Sequence, residues 1–160
     1  MRTLGIDPGS RVTGYGVVEQ AGGRIVRVDH GEIRIRNGEP FTRCLSRIFD
    51  ELAEVIQRTR PDAIALEDIF YGKNVKSLIK QGQARGVAIL AGAHSGLPVF
   101  EYSPLEIKLA VVGYGRAEKM QVQQMVKVIL KLTDLPGTDA ADALAVAICH
   151  ANRTGSRARL

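Results

Sequence analysis

The first part of the chain alternates apolar stretches with turn residues, as a small antiparallel sheet does. Residues 2–7 are mostly apolar and end at Asp7-Pro8-Gly9, where the proline favours extended geometry for the residue before it and the glycine opens a turn. Two further strands are expected at 14–18 and 25–35, joined by the hairpin turn Ala21-Gly22-Gly23. The opening of the chain is therefore predicted to be an antiparallel meander.

The remainder alternates helical and extended patterns. Apolar residues between 45 and 56 recur at helical spacing, and the continuous apolar run 63–67 is typical of a central strand covered on both faces. A helix of small residues is then expected up to about His94. The elements expected after it are a strand at 98–103 and helices near 104–112, 118–132 and 139–152. This order predicts an α/β fold with a mixed sheet, for which we expect five strands, flanked by helices.

Size and composition narrow the class of protein. The chain has 160 residues, of which 45% are hydrophobic and 24% charged, so one compact domain over 1–152 is expected, with a basic, disordered tail at 153–160. No apolar run approaches the roughly 20 residues that span a bilayer, and a carboxylate at position 7 comes too early for a signal peptide. Cys44 and Cys149 are interpreted as buried thiols in a reducing compartment. We therefore expect a cytoplasmic protein.

The charge distribution allows two interpretations. There are 22 basic and 17 acidic residues, giving a net charge of +5. Many of the basic residues fall in three stretches: Lys73, Lys76, Lys80 and Arg85; Lys108, Arg116 and Lys119; Arg153, Arg157 and Arg159. These are either solvated helix faces and a disordered end, or phosphate contacts that flank an acidic site.

Two carboxylates stand at the ends of apolar strands. Asp7 ends the first strand and Glu67 ends the central apolar run. A buried, ionised carboxylate is costly unless it is paired, metal-bound or close to solvent, and ligands of α/β sheets bind at the carboxyl ends of the strands. Either residue taken alone would be interpreted as a turn-capping acid.

A second pair of carboxylates is spaced for one face of a helix. Asp139 and Asp142 lie three residues apart, and the alanines around them would let that face approach the sheet closely. The alternative is a capping pair at the start of the helix, favoured by the helix dipole.

Taken together, the four carboxylates Asp7, Glu67, Asp139 and Asp142 predict a metal-dependent phosphodiesterase that cuts nucleic acid. Ligands that are all oxygen suit Mg²⁺ or Mn²⁺, and two such ions would activate a water and stabilise the leaving oxygen of a phosphodiester. We expect the metal-free acids to repel one another and to raise the pKa of at least one of them. The three histidines, His30, His94 and His150, lack metal-site spacing.

Six motifs, in order along the chain, resemble the RuvC family of Holliday junction resolvases. They are Ile6-Asp7-Pro8-Gly9-Ser10, Thr13-Gly14-Tyr15-Gly16, Leu66-Glu67, Gln81-Gly82-Gln83-Ala84-Arg85-Gly86, Gly113-Tyr114-Gly115-Arg116-Ala117-Glu118-Lys119 and Asp139-Ala140-Ala141-Asp142-Ala143-Leu144-Ala145. The resemblance runs from Met1 to about Asn152 and implies a ribonuclease H-like fold. It also implies a homodimer that cuts opposing strands of four-way junction DNA symmetrically and works with the RuvA and RuvB branch-migration proteins.

The resemblance also implies roles for particular residues. It assigns catalysis and the binding of Mg²⁺, with two ions per site, to the four carboxylates; some members have histidine at the last position, where this chain has Asp142. Lys108 and Lys119 match positions that supply positive charge beside the site, and Phe70 matches an aromatic residue that stacks on bases. From the sequence alone, Phe70 stands in a loop after Glu67 and could instead anchor that loop on the core; Tyr71 could share either role. Lys73, Lys76 and Arg116 are candidate DNA contacts.

Parts of this pattern are also compatible with three other functions. Asp7-Pro8-Gly9 could imitate the phosphate-binding turn of actin-like and sugar-kinase ATPases, but those proteins use two related domains. A junction-binding module without catalysis would need only the basic stretches, and the complete acid set argues against it. A related ribonuclease H-like enzyme could instead act on another branched DNA or on RNA.

Overall fold

The structure is a computed structural model that describes residues 1–36, 38–68 and 74–157. Its strands are β1 (Arg2–Asp7), β2 (Val12–Ala21), β3 (Arg24–Arg34), β4 (Ala63–Glu67) and β5 (Val99–Tyr102). Its helices are α1 (Phe41–Thr59), α2 (Val75–His94), α3 (Pro104–Val112), α4 (Lys119–Leu130) and α5 (Thr138–Arg157).

The strands form one five-stranded mixed sheet in the order β3-β2-β1-β4-β5, which confirms the predicted fold class. β1 pairs antiparallel with β2 and parallel with β4, and β4 pairs parallel with β5. Gly22 and Gly23 both have positive φ, which gives the β2–β3 hairpin the backbone twist that a two-residue turn requires. The central strand β1 therefore lies between the antiparallel and the parallel half of the sheet.

Helices cover both faces of the sheet. α1 and α2 pack on one face, against a core that includes Leu4, Ile6 and Ile64. On the other face lies α5, and α3 and α4 pack against it. α5 is buried along most of its length, so the helix that carries two of the predicted site residues forms the centre of one layer.

α5 is longer than the sequence pattern predicts. The predicted helix ends at 152, whereas the structure continues it to Arg157 and so places residues 153–157 in the helix rather than in a disordered tail. Arg153 pairs with Glu106 of α3 at 2.7 Å and lies over the ring of Tyr102. These partners are distant in sequence, so the local pattern could not indicate that the helix continues.

Both cysteines are buried with free thiols, as predicted. Burial raises the pKa of Cys149 to about 11, which makes this thiol unreactive. Of the helices described, none combines the length and the apolar character needed to cross a bilayer.

Candidate active site

The parallel pairing of β1 and β4 brings the two strand-end acids to the same edge of the sheet. Ile6 is opposite Leu66 in the register, so Asp7 and Glu67, the next residues, leave neighbouring strands side by side. Both line a small cavity with Arg85. The two strand ends thus place Asp7 and Glu67 next to each other.

Glycines in the sheet admit the helix that carries the other two acids. A Cβ atom added to Gly14 of β2 would collide with the carbonyl oxygen of Asp139, and one added to Gly5 of β1 would collide with that of Ala143. α5 can therefore lie against the sheet backbone only because these positions have no side chain. This close approach places Asp139 and Asp142 over the end of β1.

A carboxylate of β3 lies at the start of α5. The backbone N–H of Asp139 donates a hydrogen bond to Oε1 of Glu32 at 3.3 Å, and Glu32 is also paired with Arg34. A negative charge at a helix N-terminus is favourable because the first N–H groups of the helix have no partner in the helix itself. The sequence analysis did not identify Glu32, whose partner is far away along the chain.

The other three acids lie near enough to Asp7 to raise its pKa. The pKa of Asp7 is raised to about 7: burial is the largest cause, followed by the charges of Asp142, Glu67 and Asp139, against a lowering by Lys119. Burial is also the largest cause of the raised pKa of Glu67 and of Asp142. The expectation that repulsion among the acids raises at least one pKa is thus confirmed, with burial as the larger cause.

Lys119 is a cation within this cluster. Its Nζ lies 2.7 Å from Oδ2 of Asp142. Burial alone lowers the pKa of Lys119, but the hydrogen bond to Asp142 and the charges of Asp142, Asp7 and Asp139 outweigh burial and raise it. Lys119 therefore remains a cation at neutral pH and partly neutralises the acids.

An open cleft of about 290 Å³ begins at the acids and passes between α3, α4 and α5. Its lining includes two acids and two lysines, with apolar residues behind them: Glu67, Asp142, Lys108, Lys119, Pro104, Ile107, Val122 and Ala145. Because Glu67 also lines the smaller cavity beside Asp7, the cleft and that cavity meet at this carboxylate. A negatively charged phosphodiester could thus reach the acids along a path that carries two cations.

The donor set is suited to a hard divalent cation, although the side chains are not gathered around one point. All four acids offer only carboxylate oxygens, the ligands that Mg²⁺ and Mn²⁺ prefer. Across residues 1–36, 38–68 and 74–157, however, no three His, Cys, Asp or Glu side chains form a group that could hold an ion as they stand. Since Asp142 is paired with Lys119, binding a cation would require these side chains to reorient.

The predicted DNA-binding residues separate into three groups. Lys108 and Lys119 lie in the cleft beside the acids. Lys76 and Arg116 are exposed, on α2 and between α3 and α4, and neither of these two described residues lines the cleft or the smaller cavity. Phe70, Tyr71 and Lys73 lie outside the described residues.

Arg85 is buried, although the sequence pattern allowed it to be part of a basic surface. It is only 7% exposed, and its guanidinium donates to the carbonyl oxygen of Glu67 and pairs with Glu101. The signal for burial is its position among small residues, next to Ala84, but a single arginine in such a stretch is also typical of a solvated face.

Comparison with known proteins gives consistent results over nearly the whole chain. A family model described as crossover junction endodeoxyribonuclease RuvC matches residues 3–150. A curated protein of that description from Geobacter metallireducens is 56% identical over 157 residues, which cover 98% of this chain and 96% of the relative. One from Geotalea uraniireducens is 57% identical over 152 residues, covering 95% and 89%.

Solved structures agree with these relatives. The structure of Thermus thermophilus RuvC in complex with Holliday junction substrate has a TM-score of 0.92 and 34% identity, and covers 98% of this chain and 96% of that one. The yeast mitochondrial Holliday junction resolvase Ydc2 has a TM-score of 0.69 at 13% identity, covers 98% and 80%, and so shares the fold alone.

Proposed function

The chain belongs to the RuvC family of crossover junction endodeoxyribonucleases, and from this membership we propose that it resolves Holliday junctions by hydrolysis of DNA in recombination and repair. In this proposal the enzyme nicks opposing strands symmetrically and leaves 5′-phosphate ends. Its fold is that of the family, a ribonuclease H-like α/β sheet flanked by helices.

The observation that carries the catalytic proposal is the combined effect of burial and the other three acids on the pKa of Asp7. A carboxyl group whose pKa is raised to about 7 by burial and by neighbouring carboxylates lacks sufficient positive charge around it. Without added positive charge, such a site would repel the phosphate backbone. A divalent cation would supply that charge, and it would compete with the proton for the same oxygens.

We propose that Asp7, Glu67, Asp139 and Asp142 hold Mg²⁺, two ions per active site, and that Mn²⁺ can substitute. When bound, the metal would activate a water and neutralise charge on the leaving oxygen. Lys119 would then be released from Asp142, because the cation would take that carboxylate, and its ammonium would become free to bind a phosphate oxygen. Lys108 is placed in the cleft to do the same.

We propose further DNA contacts outside the cleft. Phe70 and Tyr71 follow β4 in the sequence and are proposed to stack on unpaired bases at the crossover, for roughly 1–3 kcal/mol per base. Lys73, Lys76 and Arg116 are proposed phosphate contacts. Phosphate contacts fix the enzyme on DNA and carry no sequence information directly.

The outer face of α2 supports the proposed homodimer. Val75, Ile79 and Leu90 are 65%, 57% and 56% exposed, and a Cβ atom added to Gly82 or Gly86 would meet no atom within 4 Å. These five positions lie along one stripe of the helix. Two copies joined there would bring two active sites to one junction. Cooperation with the RuvA and RuvB proteins and a cytoplasmic location are proposed from the family resemblance.

The proposal is tested by cleavage of a synthetic four-way junction at a stated salt concentration, with a linear duplex of matched sequence as control. We expect paired nicks on opposing strands with junction in Mg²⁺, binding without cutting in Ca²⁺, and no cutting in EDTA. Tight junction binding without cutting in Mg²⁺ would indicate a binding module. Equal cutting of junction, duplex and RNA–DNA hybrid would contradict the proposed substrate.

A further inference from the structure

Arg85 is a buried cation beside the acidic site, and the proposed chemistry gives it no role. It lies on α2 next to Ala84, which is fully buried, and only 7% of Arg85 is exposed. A guanidinium cannot lose its proton at physiological pH, so its burial must be balanced by partners. Those partners identify what Arg85 does.

The guanidinium joins the ends of two strands. Nη1 donates a hydrogen bond to the backbone carbonyl oxygen of Glu67, the last residue of β4. Nη2 lies 2.8 Å from Oε1 of Glu101 on β5 and 4.0 Å from Oδ1 of Asp68. A planar fork with five donors can bond a carbonyl and a carboxylate at the same time, whereas a lysine ammonium acts as a point charge.

The carbonyl bonded by Arg85 belongs to the residue whose carboxylate faces the site. Glu67 is paired with Tyr102 in the ladder, and the N–H of the following Asp68 donates to the carbonyl of Tyr102 at 2.8 Å. Arg85 adds a second anchor at the point where β4 ends. The backbone from which the Glu67 carboxylate projects is therefore fixed from β5 and from α2.

We infer that Arg85 is a positioning residue that sets the orientation of Glu67 for metal binding through its bond to the Glu67 carbonyl. This inference rests on the proposed function and adds a member to the site from outside its acidic cluster. It assigns the arginine of the Gln81–Gly86 motif to support of a metal ligand, rather than to a DNA phosphate. Outer partners of metal ligands commonly change metal affinity or activity by about 10- to 100-fold when they are lost.

The test compares Arg85→Gln and Arg85→Lys with the matched control Glu101→Gln. The control removes the charge that pairs with Arg85 and leaves the bond to the Glu67 carbonyl in place. The first readout is the rise in melting temperature when Mn²⁺ is titrated into protein without DNA, since a ligand that binds only the folded state stabilises it. The others are the Mg²⁺ concentration that half-saturates single-turnover junction cleavage, and junction affinity in EDTA.

We expect Arg85→Gln to raise the half-saturating Mg²⁺ concentration about 10- to 100-fold and to reduce the Mn²⁺-induced rise in melting temperature. Junction affinity in EDTA should stay within about twofold of wild type, because Arg85 is not expected to touch DNA. Arg85→Lys should fall between wild type and Arg85→Gln, and Glu101→Gln should match wild type.

A folded Arg85→Gln protein with the metal response of wild type would overturn the inference. If Arg85→Gln does not fold, Arg85→Lys decides, and a wild-type metal response in that protein would overturn it equally. An effect of Glu101→Gln as large as that of Arg85→Gln would assign the effect to local charge and reject the role of the carbonyl bond. A wild-type protein that cuts no junction would contradict the proposed function instead, while the Mn²⁺ titration would still test Arg85.

Discussion

α2 and α5 look alike in the sequence and have opposite environments in the structure. Both are 20 residues long and rich in small residues. α5 packs against β1 and β2, where it is buried along most of its length. α2 buries one side against the sheet, and on its other side Gly82 and Gly86 face open space.

The difference shows that a stripe of small residues permits close approach without specifying the partner. For α5 the partner is in the same chain, because Gly5, Gly14 and Gly16 remove the side chains that would block the helix. For α2 the outer stripe has no such partner among the described residues, and a second copy is the proposed one. The close approach inside the chain builds the proposed active site, and the one outside would pair two such sites.

The largest effect should come from Asp7, at the end of β1 near the start of α5. Asp7→Asn should reduce junction cleavage by about 1000-fold or more, because it removes a proposed metal ligand. Each tenfold loss corresponds to about 1.4 kcal/mol of transition-state stabilisation. The exposed Asp50→Asn on α1 is the control. Cleavage of the Asp7→Asn protein within tenfold of wild type would remove Asp7 from the catalytic site.

The same variant should be more stable than wild type in EDTA above pH 7. The pKa of Asp7 is about 7 in the folded state and 3.8 in the unfolded state, so Asp7 stays protonated to a higher pH when the protein is folded. The free energy of unfolding of the wild type therefore falls as pH rises from about 4 to about 7. The Asp7→Asn protein has no such loss, which is on the order of a few kcal/mol at most. Urea unfolding at pH 5 and pH 8 measures it, and a strongly destabilised variant at pH 8 would mean that Asp7 is mainly structural.

The next largest effect is expected from adding a methyl group between β2 and α5. Gly14→Ala would collide with the carbonyl oxygen of Asp139, so it should cost about 1–3 kcal/mol of stability and lower cleavage by displacing the start of α5. Denaturant unfolding and a cleavage assay on the same sample measure both. Wild-type stability in this variant would mean that α5 can move away from the sheet without cost.

Lys119→Ala should have a smaller effect on cleavage, of about tenfold. It removes a cation from the cleft and should reduce the slope of log affinity against log salt by about one if Lys119 contacts a phosphate. Lys127→Ala, on the same helix, is the control. An unchanged rate and an unchanged slope would exclude Lys119 from the site.

The smallest change in folding free energy is expected on the outer face of α2. Gly86→Ala should stabilise α2 in the monomer by about 0.5–1 kcal/mol, because nothing lies within 4 Å of the added methyl group. It should also weaken self-association, measured by sedimentation over a range of concentrations, if a second copy approaches there. Ser46→Ala, exposed on α1, should leave self-association unchanged. Equal association of both variants would move the dimer interface elsewhere.

Local features could be predicted from the sequence where they depend on neighbouring residues. The strand that ends at Asp7, the apolar strand that ends at Glu67 and the spacing of Asp139 and Asp142 agree with the structure. The end of α5 and the burial of Arg85 could not be predicted, because their partners, Glu106 and the Glu67 carbonyl, are distant along the chain.

The sequence by itself determined the kind of chemistry: carboxylates at strand ends, a second pair on one helix face, and oxygen ligands suited to a hard cation. Only the tertiary structure decided that the other three acids lie near enough to Asp7 to help raise its pKa to about 7, and that Lys119 pairs with Asp142. Burial and charge interactions depend on distances in space, and those distances are set by how β1, β4 and α5 pack together.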